Sequence, residues 1–325
     1  VHVPDGFLDA RTAVITGLLA AGGVGAALAR LRRTLPASRV PMLGLTAAFV
    51  FAAQMLNFPV AGGTSGHLVG AALVTVLLGP SAAVVVLTAV LVLQCLMFAD
   101  GGLTALGANV FNMAVVAPAA AALALRLAGG RGVVPTRRRL FAAALAAWFS
   151  IVAAAVTCAG ELAFSGTAAW AAVFPAMTTL HLLIGLGEAV ITTLFVAALA
   201  AVRPELTAGP AELLDDARGR ELVLSGLALA LALALFVAPF ASAWPDGLER
   251  VADRLGFAPR AAAATLPAPL AGYSVPGFDS PVAATMAAGA LGTALAFLLA
   301  WLLARALAAR LGRRRGELDP LGPAR

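Results

Sequence analysis

The chain opens Val1-His2-Val3-Pro4-Asp5-Gly6-Phe7-Leu8-Asp9, its densest stretch of coordination chemistry. An amine at residue 1, the amide nitrogen of His2 and the near imidazole nitrogen of His2 can close two fused chelate rings on one ion. Amine and deprotonated amide nitrogens favour a square plane, and tetragonal nitrogen coordination points to Cu(II) or Ni(II), with Co(II) less obvious on geometry. One further nitrogen completes the plane. Pro4-Asp5-Gly6 is a turn sequence, so the terminus is expected to fold back rather than trail away. No basic n-region precedes the first apolar run, and residue 1 is therefore expected to be the mature terminus. A GTG start codon is decoded as Met, so Met is expected where Val1 is written, and either residue supplies the amine. A histidine at position 2 is an ordinary occurrence by itself; what matters is whether a second one meets it.

The elements that must hold such a chelate are membrane helices. With 61% hydrophobic and 12% charged residues in 325, the composition is that of an all-α, polytopic membrane bundle. Apolar segments run over 13–29, 41–58, 67–79, 82–99, 103–127, 140–163, 175–202, 222–243 and 282–307. They are expected to make about seven spans plus a two-span C-terminal unit, the third being short, hence tilted, broken or buried in protein. All 22 basic residues are Arg, and they flank apolar segments instead of forming a nucleic-acid face. Eighteen lie in the loops after the first, fifth and seventh segments and in the carboxyl tail; Arg11, Arg250, Arg254 and Arg260 lie opposite. That asymmetry places the amino terminus outside and the carboxyl terminus in the cytoplasm. Cys95 and Cys158 fall inside apolar segments, where cysteine serves as a small hydrophobe, and suggest no disulfide framework.

The outer loop Asn57-Phe58-Pro59-Val60-Ala61-Gly62-Gly63-Thr64-Ser65-Gly66-His67 is rich in small residues that let backbone pack closely. The chain has 3 histidines. His67 is presented on the side of His2, which makes it the natural fourth nitrogen; taken alone it could as well cap a helix or bond a carbonyl. Polar residues in apolar spans are costly and mark pathways or partners. Gln54, Asn57, Gln94, Asp100, Asn109 and Asn112 are thus candidates to orient the histidines or line the access route, each also explicable as an interhelical hydrogen bond. Asp100, at the outer end of the fourth segment, is the foremost of them. His181 and Glu188 are seven apart on one helix face, as a structural polar pair or a relay for metal.

Taken together, His2-Val3-Pro4-Asp5-Gly6-Phe7-Leu8, Gln54-Met55-Leu56-Asn57-Phe58-Pro59-Val60, Gly63-Thr64-Ser65-Gly66-His67, 98–109 and 181–189 closely resemble the CbiM/NikM family over residues 1–205. These are metal-specific membrane subunits of energy-coupling-factor (ECF) ABC transporters of prokaryotic cell membranes, which take up cobalt or nickel. The resemblance implies an amine, amide and His2 chelate completed by His67. It also implies a transmembrane coupling subunit and separate ATPase subunits as partners. The written Val1 departs from the family's Met.

The polar stretch 206–219 reads as a cytoplasmic linker. Beyond it, 220–325 holds two segments around an outer loop whose Pro245-Asp246-Gly247-Leu248-Glu249 resembles the PDGLE domain of nickel and cobalt transporters. Its expected role is to help load metal or hold the terminus near its pocket. Asp246 and Glu249 could attract cations there, although solvated loop carboxylates are commoner. No Gly-rich Lys-Ser/Thr phosphate loop is present, so any ATPase is a different chain. With no His-Glu-x-x-His, an intramembrane metalloenzyme is remote. A self-sufficient secondary carrier is the alternative, although no inverted repeat is evident. Cobalt and nickel, each as cargo rather than cofactor, are not separated by the sequence; no nucleic acid is expected as partner.

Overall fold

The computed structural model describes residues 2–129, 136–203 and 216–318. Val1, Arg131 and residues 206–215 of the linker lie outside the described residues. In chain order the helices are α1 (Ala10–Thr34), α2 (Val40–Gln54), α3 (Ala71–Leu78), α4 (Pro80–Phe98) and α5 (Leu106–Leu127). They continue with α6 (Thr136–Phe164), α7 (Trp170–Val202), α8 (Asp216–Phe236), α9 (Gly247–Leu255) and α10 (Pro281–Leu318). A two-stranded antiparallel hairpin, β1 (Phe58–Val60) and β2 (Thr64–Gly66), stands between α2 and α3.

Seven of these helices, α1, α4, α5, α6, α7, α8 and α10, are long and apolar enough to cross a bilayer. The protein is a multi-pass helical membrane protein. The two other apolar segments are shorter than the sequence suggests, with α2 at 15 residues and α3 at 8. The apolar run through Phe58 does not stay helical because Phe58-Pro59-Val60 pairs with Thr64-Ser65-Gly66. Gly62 and Gly63 make the tight turn at φ 74° and 71°, a conformation open to glycine at no steric cost. Gly70 at φ 77° and Gly79 at φ 85° then bound α3, and Pro80 restarts the chain as α4. Irregular backbone is tolerated at membrane depth where protein covers it, and α2 is buried along nearly its whole length.

Helix α2 is enclosed by α4, α8 and α10. The contact with α10 is close: a Cβ on Gly292 would lie 2.1 Å from Phe51 Cζ, and one on Gly226 of α8 2.8 Å from Leu45. The C-terminal helices therefore share the core of the bundle. Helices α6 and α7 pack along each other, with the Trp148 indole N–H donating to the Leu182 carbonyl at 3.1 Å. Two wide π turns interrupt the regular helices, Gln94–Phe98 at the end of α4 and Val110–Val116 inside α5. Such turns recur at functional sites; here one begins at Gln94 and the other directly follows Asn109.

Candidate metal centre

The amino-terminal strand is fixed by loops from both halves of the chain. Asn109 holds Val3 on both sides, Oδ1 accepting from the Val3 amide at 2.7 Å and Nδ2 donating to the Val3 carbonyl at 3.0 Å. The same carbonyl accepts from the Gly102 amide at 2.9 Å. Only glycine fits there, since a Cβ at 102 would lie 2.2 Å from the Asp5 nitrogen. The expected turn forms with Gly6 at φ 91°. The Asp5 carboxylate accepts from the Thr104 amide and hydroxyl at 2.7 and 2.6 Å, and from those of Thr265 at 3.2 and 3.1 Å. Burial pushes the Asp5 pKa up, but these donors outweigh it and hold it below its ordinary value. The Ala262 amide donates to the Asp5 carbonyl at 2.8 Å, and the Thr167 hydroxyl donates to that of Phe7.

This framework brings His2 and His67 together: their rings stack with centroids 5.2 Å apart and planes at 29°. His2 Nδ1 is 3.3 Å from Asp100 Oδ1, and His2 Nε2 is 3.3 Å from Gln94 Oε1. His67 turns Nδ1 to the Leu68 carbonyl at 3.3 Å, which makes Nε2 its basic nitrogen. Burial lowers the pKa of both rings, that of His67 to about 3, so both are neutral near pH 7. His67 stands at the end of the hairpin, whose following turn is clamped from α7: the Glu188 carboxylate accepts from the Val69 and Gly70 amides at 2.8 and 3.0 Å. Gln54 Nε2 donates to the Val69 carbonyl at 2.9 Å.

The C-terminal unit covers this end of the bundle. Ser65 donates from its amide to the Pro245 carbonyl at 2.9 Å and from its hydroxyl to the Trp244 carbonyl at 2.6 Å. The hairpin is thereby joined to the segment that starts α9. Asp246 and Glu249 form a reciprocal capping box at the N-terminus of α9. They also border a cavity of about 590 Å³ that His2, His67, Gln54, Asn57, Asp100 and Tyr273 line. Tyr273 donates to Asp100 Oδ2 at 2.5 Å and accepts from Gln94 Nε2 at 3.1 Å. Burial and the Asp100 charge raise its pKa well above the usual value, so it remains a phenol.

Asp100, Gln94, Asn109 and Gln54 thus all lie around the two histidines, and Asn57 lines the same cavity while its carbonyl accepts from Ser242 at 2.8 Å. Glu188 and His181 do not line it. Both oxygens of Glu188 are engaged by main chain, and His181 Nδ1 donates to its own helix at the Met177 carbonyl, 2.7 Å away. Its ring backs onto Gly247, where a Cβ would lie 2.7 Å from Cε1. Asn112 is placed elsewhere, donating to Glu161 at 2.7 Å. Sequence reasoning did not single out Tyr273, although it is the chain's 1 tyrosine, nor the Thr104 and Thr265 clasp on Asp5. Among the described residues no three His, Cys, Asp or Glu side chains form a metal cage.

A multi-pass helical bundle with two neutral imidazoles meeting in a polar cavity at one end defines the class: a membrane protein suited to a soft or borderline transition-metal cation. Comparison with known proteins narrows it. Residues 2–206 match the family described as CbiM, cobalt uptake substrate-specific transmembrane region, and residues 220–309 match the PDGLE domain. A protein of Archaeoglobus fulgidus named as a fused nickel transport protein, NikMN, is 37% identical over 297 residues, covering 90% of this chain and 94% of that one. The fused nickel transport protein NikMN of Rhodobacter capsulatus is 37% identical over 222 residues, 64% of each chain. The cobalt transport protein CbiM 1 of Pelobacter propionicus is 39% identical over 131 residues, 39% of this chain and 58% of that one. A crystal structure titled as a truncated transition metal transporter is 33% identical, with TM-score 0.56, covering 62% of this chain and 99% of its own. The chain belongs to the CbiM family, with a C-terminal PDGLE domain, and is a cobalt/nickel transport membrane protein of the CbiM/NikM type.

Proposed function

We propose that the protein is the substrate-capturing subunit of an ECF-type ABC transporter. It binds Ni(II) or Co(II) from outside the cell in a plane of four nitrogens: the amine of residue 1, the His2 amide, His2 Nδ1 and His67 Nε2. The observation that carries this is the meeting of His2 and His67, 65 positions apart in sequence, as stacked neutral rings in one polar cavity. Three features support the donor assignment. Asn109 and Gly102 hold Val3, so the His2 main chain is fixed where its amide can serve. His2 Nε2 faces Gln94 and Nδ1 faces Asp100, and of the two Nδ1 is the nitrogen near enough to its own main chain to close a chelate with the amide. His67 turns Nδ1 to the Leu68 carbonyl, which makes Nε2 its basic nitrogen. Amide-nitrogen square planes suit Ni(II) somewhat better than Co(II).

In this reading the chain sits in a prokaryotic cell membrane with its amino terminus outside and its carboxyl terminus inside. A transmembrane coupling subunit and separate ATPase subunits drive uptake. The domains are the metal-binding bundle 1–205, the linker 206–219 and the accessory unit 220–325. His2→Ala and His67→Ala are each expected to abolish high-affinity Ni(II) and Co(II) binding, by calorimetry on the purified protein, with helix content and elution volume unchanged. Wild-type affinity in either variant contradicts the site.

A further inference from the structure

Tyr273 comes from the outer segment of the C-terminal unit, yet its hydroxyl touches both groups that face the two nitrogens of His2. It lies 2.5 Å from Asp100 Oδ2 and 3.1 Å from Gln94 Nε2. The second oxygen of Asp100 lies 3.3 Å from His2 Nδ1, and Gln94 Oε1 lies 3.3 Å from His2 Nε2. Four side chains therefore close a ring. Backbone conformation marks the same place. Among the described residues the non-glycine positions with positive φ are Ala99 at 53°, next to Asp100, and Tyr273 itself at 57°. Conformations of this kind persist where surrounding structure over-determines them, and they cluster at functional sites.

With His2 neutral, the contacts of Tyr273 and Gln94 leave one place for its proton. A carboxylate only accepts, so the phenol must donate its single proton to Asp100. Toward Gln94 the phenol oxygen then accepts, from the amide NH₂. That turns the Gln94 carbonyl oxygen toward His2, where Nε2 must carry a hydrogen to donate. A neutral imidazole has one N–H; Nδ1 is then a bare nitrogen 3.3 Å from an Asp100 oxygen, two acceptors in contact whose repulsion a cation beside them relieves.

We propose that Tyr273 is a positioning residue: through Gln94 and Asp100 it fixes the tautomer of His2, keeping Nδ1 unprotonated and aimed at an incoming divalent cation. The proposal rests on His2 being a metal ligand, as put forward above, and assigns the accessory unit a chemical part in the site. Without the phenol, Gln94 can turn over and offer its NH₂ to Nε2. The proton then moves to Nδ1, where it donates to Asp100 and blocks the chelating nitrogen.

The test is ¹⁵N NMR of the metal-free, full-length protein in detergent with ¹⁵N-histidine, beside Ni(II) affinity from competition with a chromogenic chelator. The His2 signals are those that His2→Ala removes. Wild type is expected as the Nε2–H tautomer. Tyr273→Phe is expected to shift His2 toward Nδ1–H and to weaken Ni(II) binding by about 10- to 100-fold, the range for partners of metal-ligating histidines. Wild-type His2 found as Nδ1–H, or as an imidazolium that donates to both Asp100 and Gln94, overturns the proposal, and so does Tyr273→Phe with an unchanged tautomer. The wild-type spectrum decides even if the variant fails to fold. A tautomer shift with unchanged Ni(II) affinity keeps the role of Tyr273 and counts instead against His2 as a ligand.

Discussion

Asn109 grips the Val3 peptide unit through both atoms of its amide, at 2.7 and 3.0 Å, and so fixes the chain one residue beyond His2. Replacing it by Ala leaves the buried Val3 amide without that acceptor, at a cost of about 1–3 kcal/mol. Asn109→Ala is expected to weaken Ni(II) binding by about 10- to 100-fold while helix content by circular dichroism stays the same; unchanged affinity would show that Val3 is held well enough by Gly102. The proposed donor set also predicts a pH dependence. Burial keeps the His67 pKa near 3 and lowers that of His2, so neither ring has a proton to release near neutrality. The amine and the amide do. The bound form carries fewer protons than the free one, so affinity rises with pH. Below the usual amine pKa of about 7.8 two protons are released, and affinity should change ~100-fold per pH unit; above it one is released, giving ~10-fold. Calorimetry between pH 6 and 9 would show the break, and a flat profile would exclude amine and amide as donors.

The hairpin and the turn after it set the position of His67, and Glu188 on α7 supports them by accepting the Val69 and Gly70 amides at 2.8 and 3.0 Å. Glu188→Gln turns an NH₂ toward one of those amides. It is expected to lower the thermal midpoint and to weaken Ni(II) binding together, because His67 shifts with the turn. A metal-relay role would instead leave binding intact and slow transport in vesicles. At this scale the sequence was only partly readable. His2 was legible because it follows the terminal amine, and His67 and Asp100 because ionisable residues are rare in so apolar a chain and each falls at an end of an apolar run. The ends of α2 and α3 were not, because Leu56 and Phe58 continue an apolar run that the backbone leaves to form the hairpin. Tyr273, Thr104 and Thr265 were missed for another reason. Their partners lie 173, 99 and 260 positions away, and a hydroxyl in a loop carries no local signal of such a contact.

Over the whole molecule, the membrane bundle was evident from composition, since no soluble core could hide that much apolar surface; the C-terminal loop was expected near the pocket, whereas the packing of that unit's helices into the bundle was not. Its helices α8 and α10 enclose α2, and its outer loop touches the amino-terminal turn, the His67 hairpin and the Asp100 segment. A two-segment accessory unit reads in sequence as an appendage; the packing makes it part of the wall of the cavity. The proposed chelate includes one donor that no side-chain substitution removes, the amine of residue 1. The decisive measurement is therefore the metal retained by the purified full chain with an untagged, unblocked terminus, beside the same chain with two residues added ahead of residue 1. The native form is predicted to retain Ni(II) or Co(II) and the extended form to lose it, with equal folding in both. Equal retention by the two forms would contradict the amino-terminal chelate.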